Sequence, residues 1–223
     1  VTIIDREQIE ASGARNLQDL TSELTSVVLI DQVGNNVQKS LDLRGFSGGK
    51  GIAVFVDGTR INDSRNNLAS LEQVPLDAVE RVEVTRGPSA ALAGGGAEAG
   101  VIRVITRRGT QPTASVSASG GSFNTARLDA TYGGSFGHYD LFVSGAYDTT
   151  DGFRPNSGGD QKRFNVSGGV DVGEGRRLGL VLLSSSLDYG APGALTLAEF
   201  EADPWQNSYN LLDGSDVVER QAS

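Results

Sequence analysis

Residues 53–108 read AVFVDGTRINDSRNNLASLEQVPLDAVERVEVTRGPSAALAGGGAEAGVIRVITRR. Three short runs in this stretch are rich in Val and Ile: Ala53 to Val56, Val79 to Thr85 and Val101 to Thr106. Each reads as a strand, and each is bounded by turn chemistry. Asp57-Gly58 closes the first, Arg86-Gly87-Pro88 closes the second, and Gly94 to Gly96 precedes the third. Asp-Gly places a residue without Cβ where positive φ is cheap, and Gly-Pro cannot continue a ladder.

Upstream the pattern turns partly helical. Asp5 is placed to cap a helix running through Glu10, with Gly13 near its end. Asn16 is placed to cap a second helix, Leu17 to Leu24, with Leu17, Leu20 and Leu24 on one face. Val27 to Ile30 and Ser40 to Arg44 read as short strands, with a turn at Gly34-Asn35-Asn36 between them. The first 110 residues therefore predict one compact α+β domain, a mixed short-stranded sheet with short helices.

Past Arg107-Arg108-Gly109-Thr110-Gln111-Pro112 the texture changes, and residues 111–223 predict a second domain. Ala114, Val116 and Ala118 alternate with serines. Ala126, Leu128, Ala130 and Tyr132 then alternate with Thr125, Arg127, Asp129 and Thr131. Tyr139, Leu141, Val143 and Tyr147 alternate with Asp140, Ser144 and Asp148. Phe164, Val166, Val170 and Val172 alternate with Arg163, Asn165, Ser167 and Asp171, and Leu178, Leu180 and Leu182 begin a fifth strand. A period of two places one set on each face of a sheet. A half-buried sheet of a soluble sandwich shows the same alternation. Two features favour a transmembrane barrel: strands about ten residues long, and connections that alternate between short and long. Phe123, Tyr132, Phe136, Tyr139, Tyr147 and Phe153 also fall near strand ends, as an interfacial girdle would. Residues 188–223 carry seven acidic groups and one basic one, Arg220, and read as a large loop before a new strand near Val217.

The totals exclude several classes. Of the 223 residues 38% are hydrophobic, and the longest mostly apolar run, Leu178 to Leu183, is far too short for a spanning helix. The N-terminal VTIIDREQIE lacks the charged-then-apolar form of a signal peptide, so an exported protein is expected to be processed or truncated here. There is no Cys, hence no disulfide framework or thiolate metal site, and His138 is the only His. Net charge is −9, divided as −2 over residues 1–110 and −7 over the rest, which disfavours nucleic acid as a partner.

The stretch resembles the plug domain of TonB-dependent outer-membrane receptors. The carrying motifs are LRGF at Leu43 to Phe46, VFVDGTRIN, VPLDAVERVEVTRGPSAAL and GVIRVITRR, in order over about seventy residues. The resemblance implies an α+β plug followed by antiparallel strands of a transmembrane β-barrel, left incomplete in this chain. Five or six strands cannot close a barrel, and a plugged lumen belongs to barrels of about 22 strands. It implies active transport of a large nutrient chelate, such as a ferric siderophore, ferric citrate, haem or cobalamin, across the outer membrane of a Gram-negative bacterium. Its partners would be TonB with ExbB and ExbD on the periplasmic side, the chelate outside, and outer-membrane lipid. No cofactor or resident metal is implied. A ligand-sensing or signalling outer-membrane module without transport is the alternative.

The resemblance also implies roles for residues. Arg44 and Arg86 match arginines that pair with glutamates of the barrel wall and lock the plug in place. Asn62, Asp63, Ser64, Arg65, Asn66 and Asn67 fall in a loop placed at the plug apex, facing the ligand. Pro88 to Ala97 forms a second apex loop. Glu80 and Glu83 are placed to pair with Arg81 or Arg103 across strands. Asp148, Asp151, Asp160 and Asp188 lie in or beside long loops, where carboxylates could collect a hard cation. Catalytic readings fare poorly. Gly94 to Gly100 lacks the Lys-Ser/Thr of a phosphate-binding loop. Gly133-Gly134-Ser135-Phe136-Gly137 has the spacing of a nucleophile elbow, but a strand follows where the elbow needs a helix, so no enzyme is expected.

Overall fold

The computed structural model describes the chain except for residues 26, 32–38, 44–49, 64–65, 69–70, 207–215 and 223. Contacts divide it into two compact units, the first formed by Val1–Ile30 with Ser40–Arg108 and the second chiefly by Gly109–Ser223.

In the first unit, β1 (Thr2–Ile4) leads into α1 (Arg6–Ser12), whose start and stop are both local. Asp5 Oδ1 accepts the N–H of Gln8 at 3.0 Å, Gln8 Oε1 accepts the N–H of Asp5 at 3.1 Å, and Gly13 ends the helix at φ 68°. Helix α2 (Leu17–Thr25) opens on Asn16, whose Oδ1 accepts the N–H of Asp19 at 2.8 Å. Leu17 and Leu20 on its inner face are fully buried, each contributing about 1.5–3 kcal/mol relative to exposure. Strands β2 (Val28–Asp31) and β3 (Lys39–Asp42) form a separate two-stranded ribbon.

The quoted stretch builds the main sheet. Strands β4 (Ile52–Val56), β5 (Thr59–Arg60), β6 (Val79–Arg86) and β7 (Gly100–Thr106) join β1 in the order β1-β6-β7-β4-β5. The β4–β7 pair is parallel and the rest antiparallel, so the sheet is mixed. Ile4, Ile52, Val54, Val82, Val84, Ile102 and Val104 are buried in its core. Asp57, at φ 47°, reaches past the β4–β5 turn, and its carboxylate accepts the Thr106 N–H at 3.0 Å and the Thr106 hydroxyl at 2.5 Å. A four-residue helix, α3 (Ala90–Ala93), follows β6. Glu83 pairs with Arg81 at 2.9 Å, two residues along the same strand, whereas a cross-strand pair was the expectation. Residues i and i+2 share a sheet face, which puts both heads within reach. Arg103 is the register partner of Glu83 on β7.

The second unit is an antiparallel meander of six strands: β8 (Thr113–Gly121), β9 (Thr125–Phe136), β10 (Tyr139–Thr150), β11 (Gly159–Gly173), β12 (Arg176–Gly190) and β13 (Asp216–Ala222). Its edges are β8 and β13. Residues 122–124 and 151–158 connect strands at one end, where the segment from residue 191 also leaves β12, while Gly137-His138 and Glu174-Gly175 make tight turns at the other. Positive φ at Gly137 (68°), Glu174 (55°) and Gly175 (71°) gives those turns their reversal. Strands β11 and β12 run 15 residues each, longer than the ten expected. The acidic segment expected to be a loop from residue 188 instead holds the end of β12 and a capped helix α4 (Leu197–Ala202), and the strand expected near Val217 is β13. The turn at Gly34-Asn35-Asn36 lies outside the described residues.

Candidate functional site

The loop after β5, expected at the apex, is built on side-chain amides. Asn62 follows β5 and fills the place of a strand residue. Its Oδ1 accepts the Val54 N–H at 2.8 Å and the Arg60 Nε–H at 3.2 Å. Its Nδ2 donates to the Ile52 carbonyl at 2.8 Å and the Asn67 carbonyl at 2.9 Å. Asn67 stands at φ 59°, a left-handed conformation that Asn tolerates better than most residues. Its Nδ2 donates to the carbonyls of Lys50 and Gly96, and its Oδ1 accepts Arg60 Nη2 at 2.6 Å. Arg60 Nη1 also reaches the Ala93 carbonyl at 3.4 Å. The loop closes on itself through Asp63 N–H to the Leu68 carbonyl (2.7 Å) and Asn67 N–H to the Asp63 carbonyl (2.8 Å). Asn66 is exposed, and its Oδ1 accepts the Leu68 N–H at 2.9 Å. Of the candidate residues, Asn62, Asp63, Asn66 and Asn67 thus come together in one loop. Ser64 and Arg65 lie outside the described residues, as does Arg44. Arg86 is exposed and donates from Nη2 to Thr2 Oγ1 at 2.7 Å, tying the end of β6 to β1.

The faces of the second unit invert the usual rule. Asp129, Thr131, Ser144, Gln161, Arg163, Asn165 and Ser167 are buried. Their alternating neighbours Leu128, Tyr132, Leu141, Phe164, Leu178, Leu180 and Leu182 are between 36% and 69% exposed. The polar face carries a charge chain across neighbouring strands: Ser117 Oγ to Asp129 (2.5 Å), Arg127 to Asp129 (3.0 Å), Arg127 to Asp148 (3.6 Å), and Arg163 to Asp148. Two arginines balance two aspartates there. Phe142, Leu183 and Leu187 share this face and are buried with it.

On the apolar face, aromatics gather at two levels. Tyr132, Phe136 and Tyr139 stand exposed toward the tight-turn end, and Tyr147 toward the loop end. Tyr139 and Tyr147 are eight residues apart on β10, roughly 26 Å along the strand at about 3.3 Å per residue. At a strand tilt of about 40° this becomes roughly 20 Å, near the height of the apolar band on an outer-membrane barrel. Tyr147 donates its hydroxyl to Asp160 at 2.7 Å, with Lys162 Nζ 5.9 Å from the ring centroid.

The four loop aspartates do not converge as a cation site would require. Asp148 points to the polar face, engaged by two arginines, while Asp160 lies on the other face with Tyr147. Strand parity separates them. Among the described residues no group of three His, Cys, Asp or Glu side chains is placed to hold a metal ion. Ser135 lies inside β9, two residues before a tight turn into β10, so the strand-to-helix bend of a nucleophile elbow is not formed there.

Sequence reasoning missed the aromatic cluster at the loop end. Trp205 packs 5.9 Å from Phe153, edge-on, and 6.1 Å from Phe123. Beside it Phe153, Arg154, Leu197, Phe200 and Pro204 line a cavity of about 440 Å³. Arg154 fixes the two loops by donating to the carbonyls of Gln206 (2.8 Å) and Pro192 (3.4 Å). Helix α4 starts in a capping box, where Glu199 accepts the Thr196 N–H at 2.7 Å and its hydroxyl at 2.8 Å. Those bonds, the backbone one first, hold the Glu199 carboxyl below its ordinary pKa.

The chain is similar to known proteins in sequence and in fold. The family described as TonB-dependent receptor plug domain matches residues 1–101. A vitamin B12 transporter of Vibrio vulnificus (strain CMCP6) is 32% identical over 160 residues, 68% of this chain and 25% of the relative. One from Vibrio cholerae is 36% identical over 138 residues, 61% of this chain and 22% of the relative. Among solved structures, the unliganded ferric citrate transporter FecA superposes with a TM-score of 0.74 at 18% identity, covering 93% of this chain and 34% of the other. The ferric yersiniabactin uptake receptor FyuA of Yersinia pestis gives 0.74 at 18% identity, covering 99% and 36%. The structures are similar in fold. The chain spans about a quarter of the length of the curated relatives it matches.

Proposed function

Residues 1–101 belong to the TonB-dependent receptor plug domain family, the chain is that of a TonB-dependent outer-membrane receptor, and from this premise we propose what the intact protein does. It carries a large nutrient chelate across the outer membrane, with the plug gating a barrel. Residues 1–110 act as the plug and residues 111–223 as the first strands of the wall. The observation that carries the reading is the inverted sheet of the second unit, with leucines and aromatics exposed on one face and Arg163, Asn165 and Asp129 buried on the other. Water penalises such a face, and a bilayer rewards it. A soluble sandwich would bury the apolar set instead.

The cargo class is a ferric siderophore, ferric citrate, haem or cobalamin. Cobalamin gains support from relatives named vitamin B12 transporters. The outer membrane holds no ATP, so the drive comes through TonB with its ExbB and ExbD partners. TonB engages the receptor by strand addition, a main-chain mode of recognition. Arg44 and Arg86 serve as plug-to-wall locks toward wall carboxylates, since an Arg fork suits a carboxylate in a confined space. The apex loop around Asn66 faces the cargo.

The test is uptake in a strain lacking its own receptors and carrying the intact gene, with cyanocobalamin, haem, ferric citrate and ferric siderophores supplied singly. Transport of one of them that vanishes on deletion of TonB is the expected result. Binding without TonB-dependent uptake would instead establish the sensing module. No binding of any of them would overturn the cargo class.

A further inference from the structure

The apex amides have little capacity left for a ligand. A carboxamide offers two N–H donors and two acceptor lone pairs. Asn62 uses all four: Val54 N–H and Arg60 Nε–H arrive at Oδ1, and the Ile52 and Asn67 carbonyls receive from Nδ2. Asn67 uses three, toward Lys50, Gly96 and Arg60. Their partners belong to four separate pieces of chain: the approach to β4, β4 itself, the end of β5, and the glycine turn after α3. Gly96 shows how close the fit is. It holds φ 80°, and a Cβ there would stand 2.3 Å from Asn67 Nδ2. Arg60 adds the third strut by bridging Asn62, Asn67 and the Ala93 carbonyl.

We propose that Arg60, Asn62 and Asn67 are positioning residues that weld the described parts of the apex loop, residues 62–63 and 66–68, to the turn at residues 94–97. A cargo then meets the two loops as one pre-formed surface. This rests on the reading that the apex faces cargo, and it moves direct contact from Asn62 and Asn67 to Asn66, which stands exposed on the same loop. Pre-formation matters because loops that must order on binding spend affinity on that ordering.

Hydrogen exchange on the intact receptor in detergent decides the weld without any cargo. Asn67→Ala should speed exchange about tenfold or more in peptides covering both residues 50–62 and residues 92–99. Exchange in residues 79–86 and 101–106 should be unchanged. Asn66→Ala should leave all four segments as in the wild type. Titration with cyanocobalamin and ferric citrate reads the consequence. Whichever probe binds the wild type should bind Asn67→Ala at least tenfold more weakly, with the melting temperature of the receptor unaltered, and Asn66→Ala should weaken binding without loosening either loop. Loosening confined to residues 62–68 would overturn the weld. So would weakened binding by Asn67→Ala with neither loop loosened, which would make Asn67 a direct contact. If neither probe binds the wild type, the cargo class is what fails, and the exchange data still decide the weld.

Discussion

Replacing Leu182 by Arg separates a membrane wall from a water-soluble sheet. Leu182 is 49% exposed on β12, and its register partner Val166 pairs in turn with Val143. Val143 lies midway between Tyr139 and Tyr147, so this row sits near the middle of the apolar band. In water, a half-exposed leucine exchanged for arginine changes stability by about 0.5 kcal/mol or less. At the midplane of a bilayer the same change costs about 2–4 kcal/mol, because the guanidinium must be drawn toward the interface or leave its hydration behind. That is roughly 25- to 700-fold in the folding equilibrium at about 1.4 kcal/mol per decade. The assay is reversible guanidinium titration of the intact receptor in phospholipid vesicles, following tryptophan emission. Ser186→Arg, four residues on and level with Lys162, serves as the interface control and should cost about 1 kcal/mol or less. A Leu182→Arg penalty no larger than that of Ser186→Arg would refute the assignment of this face to lipid.

Other expectations follow from the first unit and the loops. Asp57→Ala removes the acceptor for the Thr106 N–H and hydroxyl, and should cost about 1–3 kcal/mol of local stability, seen as faster exchange at the end of β7. Gly100→Ala would place a Cβ 2.4 Å from the Thr85 carbonyl, so β6 and β7 must part; the expected cost is about 1–3 kcal/mol in denaturant titration. Glu199 has a depressed carboxyl pKa, so its contribution to α4 is complete above the ordinary value of 4.5 and is lost as pH falls through the lowered one. Acidification should therefore loosen the first turn of α4, and Glu199→Gln should remove that pH dependence, both read by hydrogen exchange across residues 195–203.

Much of the fold was legible because its signals are local. The Asp5 cap, the Gly13 stop and the strands at β4, β6 and β7 each depend on a few adjacent residues, and all fall within one residue of their predicted bounds. Period-two patterning found β8 to β12, since one face of each strand is apolar. It underestimated β12, where Ser184, Ser185 and Ser186 continue the strand and the alternation stops. Helix α4 did carry a signal, Thr196 three residues before Glu199 with Leu197 and Phe200 following, but it lay inside a segment read by its acidity alone. The loop after β5 was legible as a polar loop, but the work its amides do was not. Nothing in the letters Asn62 and Asn67 tells whether an amide is open or already saturated by backbone of other chain segments. Parity could have separated Asp148 from Asp160, since the first follows the polar set of its strand and the second the apolar set.

The two ends of the β8–β13 sheet have different tolerance for changes in length. One residue added to the Glu174-Gly175 turn would shift the pairing of β12 by a single step and turn Leu183 and Leu187 to the side where Leu180 and Leu182 now stand. The same residue added within 151–158 would be absorbed by the loop, at a closure cost of well under 1 kcal/mol, leaving every pair in place. Insertions, epitope tags and grafted recognition sequences therefore belong at the Asn156 end of this sheet, and the opposite rim is frozen in length.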